Sequence, residues 1–372
     1  MKRILKIIIL VCVFAGLVSP VAAAVDSNID RYETEFDFNE IFQSMNEETL
    51  SILEEIGVTE ISFDTIFSIE PEKIFQVLFN IVSRAIKKPL KFAFISLGIL
   101  MITAVASSFT DNTQTVALVG GSALSLSMAV PVANLVYSAF SVLEALLLFT
   151  SAFSGVFCAV VSSSGNITQG VTYASLTMLS NTVFSGGLTY LSQPVVNAMC
   201  SVGFLSCFDI YNFTERFSSM IKKLYVFVLS LVGTIFSGLV TLKGVLSDGV
   251  DSLSSRSIRF VIGQSLPVVG GAVSETYSSL ISSLSLIKNT VGTFGIITVI
   301  IFVLPILAEL IMWFFSLEIT LNGAEAFGVG NATSFLNVLK DALTLLIATI
   351  VILATVFIIS VGVCIVAKGG GI

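Results

Sequence analysis

The chain has 372 residues, of which 55% are hydrophobic and only 12% are charged, and its mean hydropathy is +0.98. Soluble globular proteins carry about 25% charged residues, so this composition excludes a soluble domain and predicts an all-α, polytopic integral membrane protein. The formal net charge of −7 is unevenly distributed, because Val25 to Glu72 contains fourteen acidic residues and one base. This acidic segment argues against nucleic-acid binding, which requires basic residues against the phosphates.

The residue types also limit the possible chemistry. The sequence has no histidine, which is the commonest general base and metal ligand. Its five cysteines show no Cys-x-x-Cys spacing, and no P-loop, Gly-x-Ser-x-Gly or His-Glu-x-x-His motif occurs. We therefore predict no catalytic residue, no cofactor and no metal site, and we expect that the protein is not an enzyme.

Residues 1–24 have the pattern of a secretory signal peptide. Lys2, Arg3 and Lys6 form a positive n-region, Ile7 to Val18 form a short apolar core, and Ala22 to Ala24 supply small residues for cleavage. An uncleaved N-terminal anchor is the alternative. Both interpretations place the residues that follow outside the cytoplasm.

Residues 25–91 form an acidic extracytoplasmic leader in this interpretation. The spacing of its apolar residues from Phe38 to Met45 predicts a short helix, and Asn46 is placed to begin a second helix that ends near Gly57. The leader is either a pair of solvated helices resting on the membrane surface or a docking segment for a basic partner domain.

The last part of the leader, Glu72 to Lys91, is amphipathic and predicts an interfacial helix that leads into the first span. Four of its five bases cluster near its end, and they are Arg84, Lys87, Lys88 and Lys91. Basic residues outside the cytoplasm conflict with the positive-inside tendency. We keep the leader outside, because the signal peptide is the stronger indication.

Residues 92–372 are predicted to form a polytopic membrane domain with about seven to eight transmembrane helices and broken or re-entrant segments. Each predicted span is an apolar run, although one is short and rich in Ser and Thr. The spans are Phe92–Phe109, Thr115–Tyr137, Val142–Ser162, Val171–Phe184, Leu188–Phe208, Leu224–Leu242, Thr293–Phe315 and Ala342–Ala367. The Asp209–Lys223 segment is predicted as a cytoplasmic loop because of its bases.

Glu309 is a charged residue deep within an apolar span, four residues after Pro305. A carboxylate at membrane depth costs about 2–3 kcal/mol on insertion scales, so it is expected to face protein or water. It is either a polar point on a transport pathway or a structural partner of the backbone that Pro305 leaves unpaired.

Three segments share a Pro-Val-small pattern. They are Pro131-Val132-Ala133-Asn134, Pro194-Val195-Val196-Asn197 and Pro267-Val268-Val269-Gly270. Prolines that interrupt apolar segments at corresponding places are typical of transporters built from repeats with broken helices. In a chain rich in Val and Ala, the same matches also arise by chance.

The stretch from Ser254 to Thr276 combines Arg256 and Arg259 with an uncharged run from Phe260 to Val273. This run is shorter than the roughly 20 residues that a spanning helix needs. Pro267 and the Gly270-Gly271 pair interrupt it, which favours a re-entrant loop or half-helix with the arginines at its mouth. An amphipathic surface helix is the alternative.

The same stretch carries a resemblance to a known family. Arg259, Ile262-Gly263 and the run from Leu266 to Ser274 resemble the signature of the stage III sporulation protein AE family. The general layout is also similar, with a signal-like start, an acidic leader and a polytopic body. This resemblance directs attention to Arg256, Arg259, Pro267, Gly270 and Gly271, alongside Glu309, as candidate functional residues.

The resemblance implies a membrane component of the channel or secretion apparatus between mother cell and forespore in an endospore-forming bacterium. It implies a multi-pass protein of the mother-cell membrane around the forespore, embedded in the lipid bilayer. Its implied partners are other proteins of the stage III sporulation channel complex, including a separate ATPase. The protein is then a transport or channel subunit, or else a non-transporting scaffold that recruits the other components.

Overall fold

The computed structural model describes residues 38–62, 65–66, 69–163, 170–175, 186–208, 213–265 and 270–366, with only the backbone between 240 and 283. All regular elements in these ranges are helices, so the prediction of an all-α protein is confirmed. They are α1 Asn39–Gln43, α2 Glu47–Ile56, α3 Pro71–Ser107, α4 Thr113–Ser163, α5 Gly187–Ser206, α6 Phe213–Ser265, α7 Gly270–Ala326 and α8 Gly330–Val366. The predicted signal peptide, 1–24, lies outside the described residues.

Five helices in the described part are long and apolar enough to cross a membrane, and they are α3, α4, the first half of α6, most of α7, and α8. This confirms a polytopic membrane protein and shows that the count of seven to eight spans is approximate. Helix α5 has 20 residues and no charge, but it is not among these five. The predicted span Val171–Phe184 lies partly outside the described residues.

The predicted break between Tyr137 and Val142 is wrong, because α4 runs without interruption through both predicted spans. The residues at the expected break, Ala139 and Phe140, are buried and continue the packed face of the helix. The predicted Asp209–Lys223 loop is also wrong from Phe213 onward, where α6 begins. The bases indicated a loop there, whereas the chain is already helical, with Ser218 buried and Phe217 and Met220 exposed.

The core of the bundle surrounds α8, which packs against α4, α5, α6 and α7. Its centre is a group of phenylalanine rings from three helices. Phe149 and Phe153 of α4 contact Phe357 of α8 at centroid distances of 6.1 and 5.4 Å, and Phe149 lies 5.9 Å from Phe302 of α7. Aromatic pairs at these distances add to the free energy of burial.

The leader helices belong to this bundle. Asn46 accepts a hydrogen bond from the Thr49 backbone N–H at 2.9 Å, and Gly57 ends α2 with φ of +93°, so the predicted start and end of the second helix are confirmed. Helix α1 packs on α4, and α2 packs on α3 and α7. The apolar face of the leader is therefore covered by its own chain, with Phe42 at 5.7 Å from Phe294 of α7.

The helices from α3 to α8 alternate in direction along the bundle. Lys340 early in α8 meets Glu318 late in α7, and Ile365 at the end of α8 lies beside Gly292. The leader contacts α7 at Phe294, in the same region as Gly292. The end of α8 therefore lies at the leader end of the bundle.

Candidate functional site

Five charged residues of α6, α7 and α8 form linked contacts, and we call this set the charge belt. Its members are Glu215, Lys222, Glu318, Lys340 and Asp341. All of them lie within helices that are long and apolar enough to cross a membrane. Ionisable residues in such helices usually pair with one another or line a polar path, because an isolated charge is costly there.

The turn between α7 and α8 sets the position of one half of the belt. Gly328 has φ of +72°, a conformation that glycine adopts without strain, and Val329 N–H donates to the Ala324 carbonyl at 3.0 Å. This tight connection places α7 and α8 side by side and antiparallel. Glu318 and Lys340 are about equally far from the turn, so their side chains meet, with 2.9 Å between Nζ and Oε2.

The other half of the belt joins α8 to α6. Lys222 Nζ donates to Asp341 Oδ1 at 2.5 Å. One to two turns away, the Glu215 carboxylate accepts hydrogen bonds from Asn337 Nδ2 and Ser334 Oγ, both at 3.2 Å. Ser334, Asn337 and Asp341 share one face of α8, since residues three, four and seven apart lie above one another on a helix.

The belt is open to its surroundings. The side chains of the two ion pairs keep between 20% and 44% of their surface exposed, whereas Leu339 and Ala342 of the same helix are buried. Lys340 also lies over the ring of Phe314, 6.0 Å from its centroid, within the range of a cation–π contact. The belt carries three acids and two bases, so its formal net charge is −1.

The residues proposed from the sequence lie elsewhere. Arg256 and Arg259 belong to helix α6, and Gly270 and Gly271 are the first residues of α7. Their side-chain surroundings and Pro267 lie outside the described residues. The predicted broken element, with the arginines at its mouth, stays a prediction.

Glu309 is on α7 and half-buried, between the fully buried Ile306 and Trp313. Among the described residues, no side chain forms an ion pair with it. Its role on a transport pathway also stays a prediction.

The belt was missed in the sequence because its members are far apart along the chain. Glu215 and Lys222 fall in the predicted loop Asp209–Lys223, and Lys340 and Asp341 lie just before the predicted span Ala342–Ala367. The glycine at 328 was the available signal. A hairpin centred there brings Glu318 opposite Lys340 by residue spacing alone.

The structure consists of long apolar helices that pack on one another and are linked by ion pairs. These features define a multi-pass α-helical membrane protein. The sequence model of the stage III sporulation protein AE family matches residues 50–368. The chain therefore belongs to that family and is a membrane protein of sporulation. The match includes most of the second leader helix and all of the described helices that follow it.

A curated relative, stage III sporulation protein AE of Bacillus subtilis (strain 168), is 23% identical over 210 residues. These residues make up 56% of this chain and 52% of the relative, so the alignment spans about half the length of that protein. No solved structure matches the chain.

Proposed function

We propose that the protein is a transport or channel subunit of the apparatus between mother cell and forespore, located in the mother-cell membrane around the forespore. The observation that supports this most is the charge belt, with two partly exposed ion pairs across three helices that are apolar enough to span a membrane. A bundle that needed only to be stable would do as well with apolar contacts, because ion pairs gain little over well-packed hydrophobic residues.

The proposal assigns no catalytic step to this chain. Its sequence has neither a nucleotide-binding P-loop nor a histidine, so the energy for directed movement comes from a separate ATPase partner or from an ion gradient. The signal-like segment places the leader outside the cytoplasm in this proposal. A non-transporting scaffold is the alternative, and the cross-links that the belt makes between α6, α7 and α8 would also suit that role.

The test compares Lys222→Met, Asp341→Asn and the double variant Lys222→Asp/Asp341→Lys by sporulation efficiency in strains with normal membrane levels of the protein. We expect each single variant to lower sporulation by an order of magnitude or more, because one charge of the pair is left without its partner. Lys223→Met is the matched control. Lys223 is adjacent to Lys222 but exposed, and its loss should have no effect.

Co-purification of the other channel proteins separates the two roles. If the single variants fail to sporulate but retain their partners, the pathway role is supported. If sporulation is lost only together with the partners, the scaffold is the better explanation. Normal sporulation in all belt variants would contradict both uses of the belt.

A further inference from the structure

A cavity of about 360 Å³ lies between α4 and α5, outside the charge belt. We call it the α4–α5 groove. Tyr137 and Glu144 of α4 line one wall, and Gln193, Asn197 and Cys200 of α5 line the other. The two helices run antiparallel, since the thiol of Cys207, which follows α5, contacts the Gly121 carbonyl near the start of α4 at 3.3 Å.

The groove is polar in an apolar setting. Glu144 is the single charged residue among the 51 residues of α4, and α5 has none. Tyr137, Ser141 and Glu144 follow one face of α4, and Gln193, Asn197 and Ser201 follow one face of α5. Among the described residues, the side chains of Glu144, Gln193 and Asn197 have no hydrogen-bond or ion-pair partner. Lipid cannot satisfy such groups.

Two of the three segments that share the Pro-Val-small pattern contribute residues to this cavity. Val132 and Ala133, from the first Pro-Val-x-Asn segment, and Asn197, from the second, line the same space. Pro131 and Pro194 lie inside their helices, and each removes the N–H that would pair with the carbonyl four residues earlier. The carbonyls of Ser127 and Tyr190 therefore lack the N–H donor that the residue four positions later would supply. Both helices continue through their prolines, and prolines at corresponding places of two apolar segments are typical of transporters built from repeats.

We propose that the α4–α5 groove is a water-filled binding site for a small cation, with Glu144 as its counter-ion. The negative charge of Glu144 favours a positive ion, because the lining has one carboxylate and no basic side chain. The amide oxygens of Gln193 and Asn197 and the hydroxyls of Ser141 and Ser201 supply the remaining acceptors, as hard cations and protonated amines require. The volume accommodates a hydrated inorganic ion or a small organic cation. This site is independent of the charge belt.

Cys200 is a natural probe of the groove, because it lines the cavity. The experiment uses full-length protein in native membranes, with Cys12, Cys158, Cys207 and Cys364 replaced by serine. Two thiol reagents of similar size are compared, the cationic trimethylammonium-ethyl and the anionic sulfonato-ethyl methanethiosulfonate. Each rate is divided by the rate of the same reagent with free mercaptoethanol, which removes intrinsic differences in reactivity.

We expect Cys200 to react, and the normalised rate to favour the cationic reagent by about tenfold, as one nearby charge in a partly solvated site would produce. Glu144→Gln should remove this preference, Glu144→Asp should keep it, and choline at constant ionic strength should slow the cationic reagent. A variant with Cys364 as its single cysteine is the control. Cys364 is 4% exposed on α8, so it should not react in the folded protein.

A Cys200 that reacts only after denaturation would show that the groove is dry and would overturn the proposal. Equal normalised rates, or a preference for the anionic reagent, would also overturn it. These rates do not depend on sporulation. If Cys200 shows the cation preference while the belt variants sporulate normally, the groove proposal holds and the transport role of the belt fails. If the belt variants fail to sporulate while Cys200 shows no cation preference, the groove proposal fails and the role of the belt holds.

Discussion

Gly295 of α7 packs against the side chain of Phe153 of α4. A Cβ atom at this position would lie inside van der Waals distance of the Phe153 ring. That ring has little room to move, since it stacks on Phe157 and meets Phe357 edge-on, both at 5.4 Å. The absence of a side chain at Gly295 therefore allows the aromatic core to close.

We expect Gly295→Ala to lower the free energy of unfolding by about 1–3 kcal/mol, the usual cost of overpacking a core. The melting temperature of the detergent-solubilised protein, followed by size-exclusion chromatography after heating, measures this. Gly155→Ala is the control, because Gly155 of α4 is exposed and has open space around it. That change should leave the melting temperature equal or higher, since alanine favours helix. Equal melting temperatures for the two variants would contradict the close packing.

At the residue scale, Lys222 and Lys223 differ in a way that the sequence does not predict. The sequence prediction puts both at the end of a loop, just before the span Leu224–Leu242, yet Lys222 pairs with Asp341 whereas Lys223 is exposed. Which of two adjacent residues faces the bundle depends on the rotation of the helix. The loop prediction for this segment removed the helix from which that rotation could be read.

At the scale of elements, four helices contain a proline, and one of these prolines marks a contact that the sequence did not reveal. Pro89, Pro131, Pro194 and Pro305 all lie inside helices. In water an internal proline usually ends or kinks a helix, but inside a bundle neighbouring side chains can satisfy the backbone. The hydroxyl of Ser316 on α7 donates to the Pro89 carbonyl at 2.7 Å, an interaction between distant segments that sequence pattern does not reveal.

The leader helices were predicted in place and in length, but their packing was not. Their apolar faces were visible as helical spacing, and the cap residues at Asn46 and Gly57 fixed the ends of α2. The sequence could not show whether the membrane, a partner or the chain itself covers these faces. In the structure Ile41 and Leu53 are at most 1% exposed, and Asn80 of α3 donates to Glu55 at 3.2 Å.

We expect the double variant Ile41→Ala/Leu53→Ala to release the leader from the bundle, because each change removes buried apolar contacts and leaves a cavity. Protease added outside the cytoplasmic membrane should then cleave between residues 39 and 56 at least several times faster than in the unchanged protein. The control is Glu48→Ala/Glu54→Ala, at exposed positions of α2, which should not alter cleavage. Unchanged cleavage in the apolar variant would mean that the leader is held by something other than this packing.

At the scale of the whole molecule, the alternating helices determine which ends lie together. The number of membrane crossings depends on helix α5, because it is the weakest candidate span by composition. It contains Gln193 and Asn197 but no charge, and its 20 residues give a length of about 30 Å, equal to the hydrocarbon thickness of a bilayer. If α5 crosses together with the five stronger candidates, the leader and the end of α8 lie on one side.

This arrangement predicts the outcome of reporter fusions. Alkaline phosphatase, which is active only outside the cytoplasm, should be active when fused at Glu60 or after Val366. Green fluorescent protein, which fluoresces only when it stays inside, should be fluorescent when fused after Asp111 or after Gly328, at the opposite end of the bundle. Arg216, Lys222, Lys223 and Lys340 lie toward that opposite end, so the positive-inside tendency supports this orientation.

The bases of α3 from Arg84 to Lys91 oppose this orientation, which makes the Glu60 fusion informative by itself. An inactive phosphatase at Glu60 would indicate the reverse orientation in the membrane, with the same fold. A Glu60 fusion and a Val366 fusion on opposite sides would instead contradict six crossings and would remove α5 from the spans. That second outcome would also conflict with the contacts that place Phe42 and Ile365 beside the same part of α7.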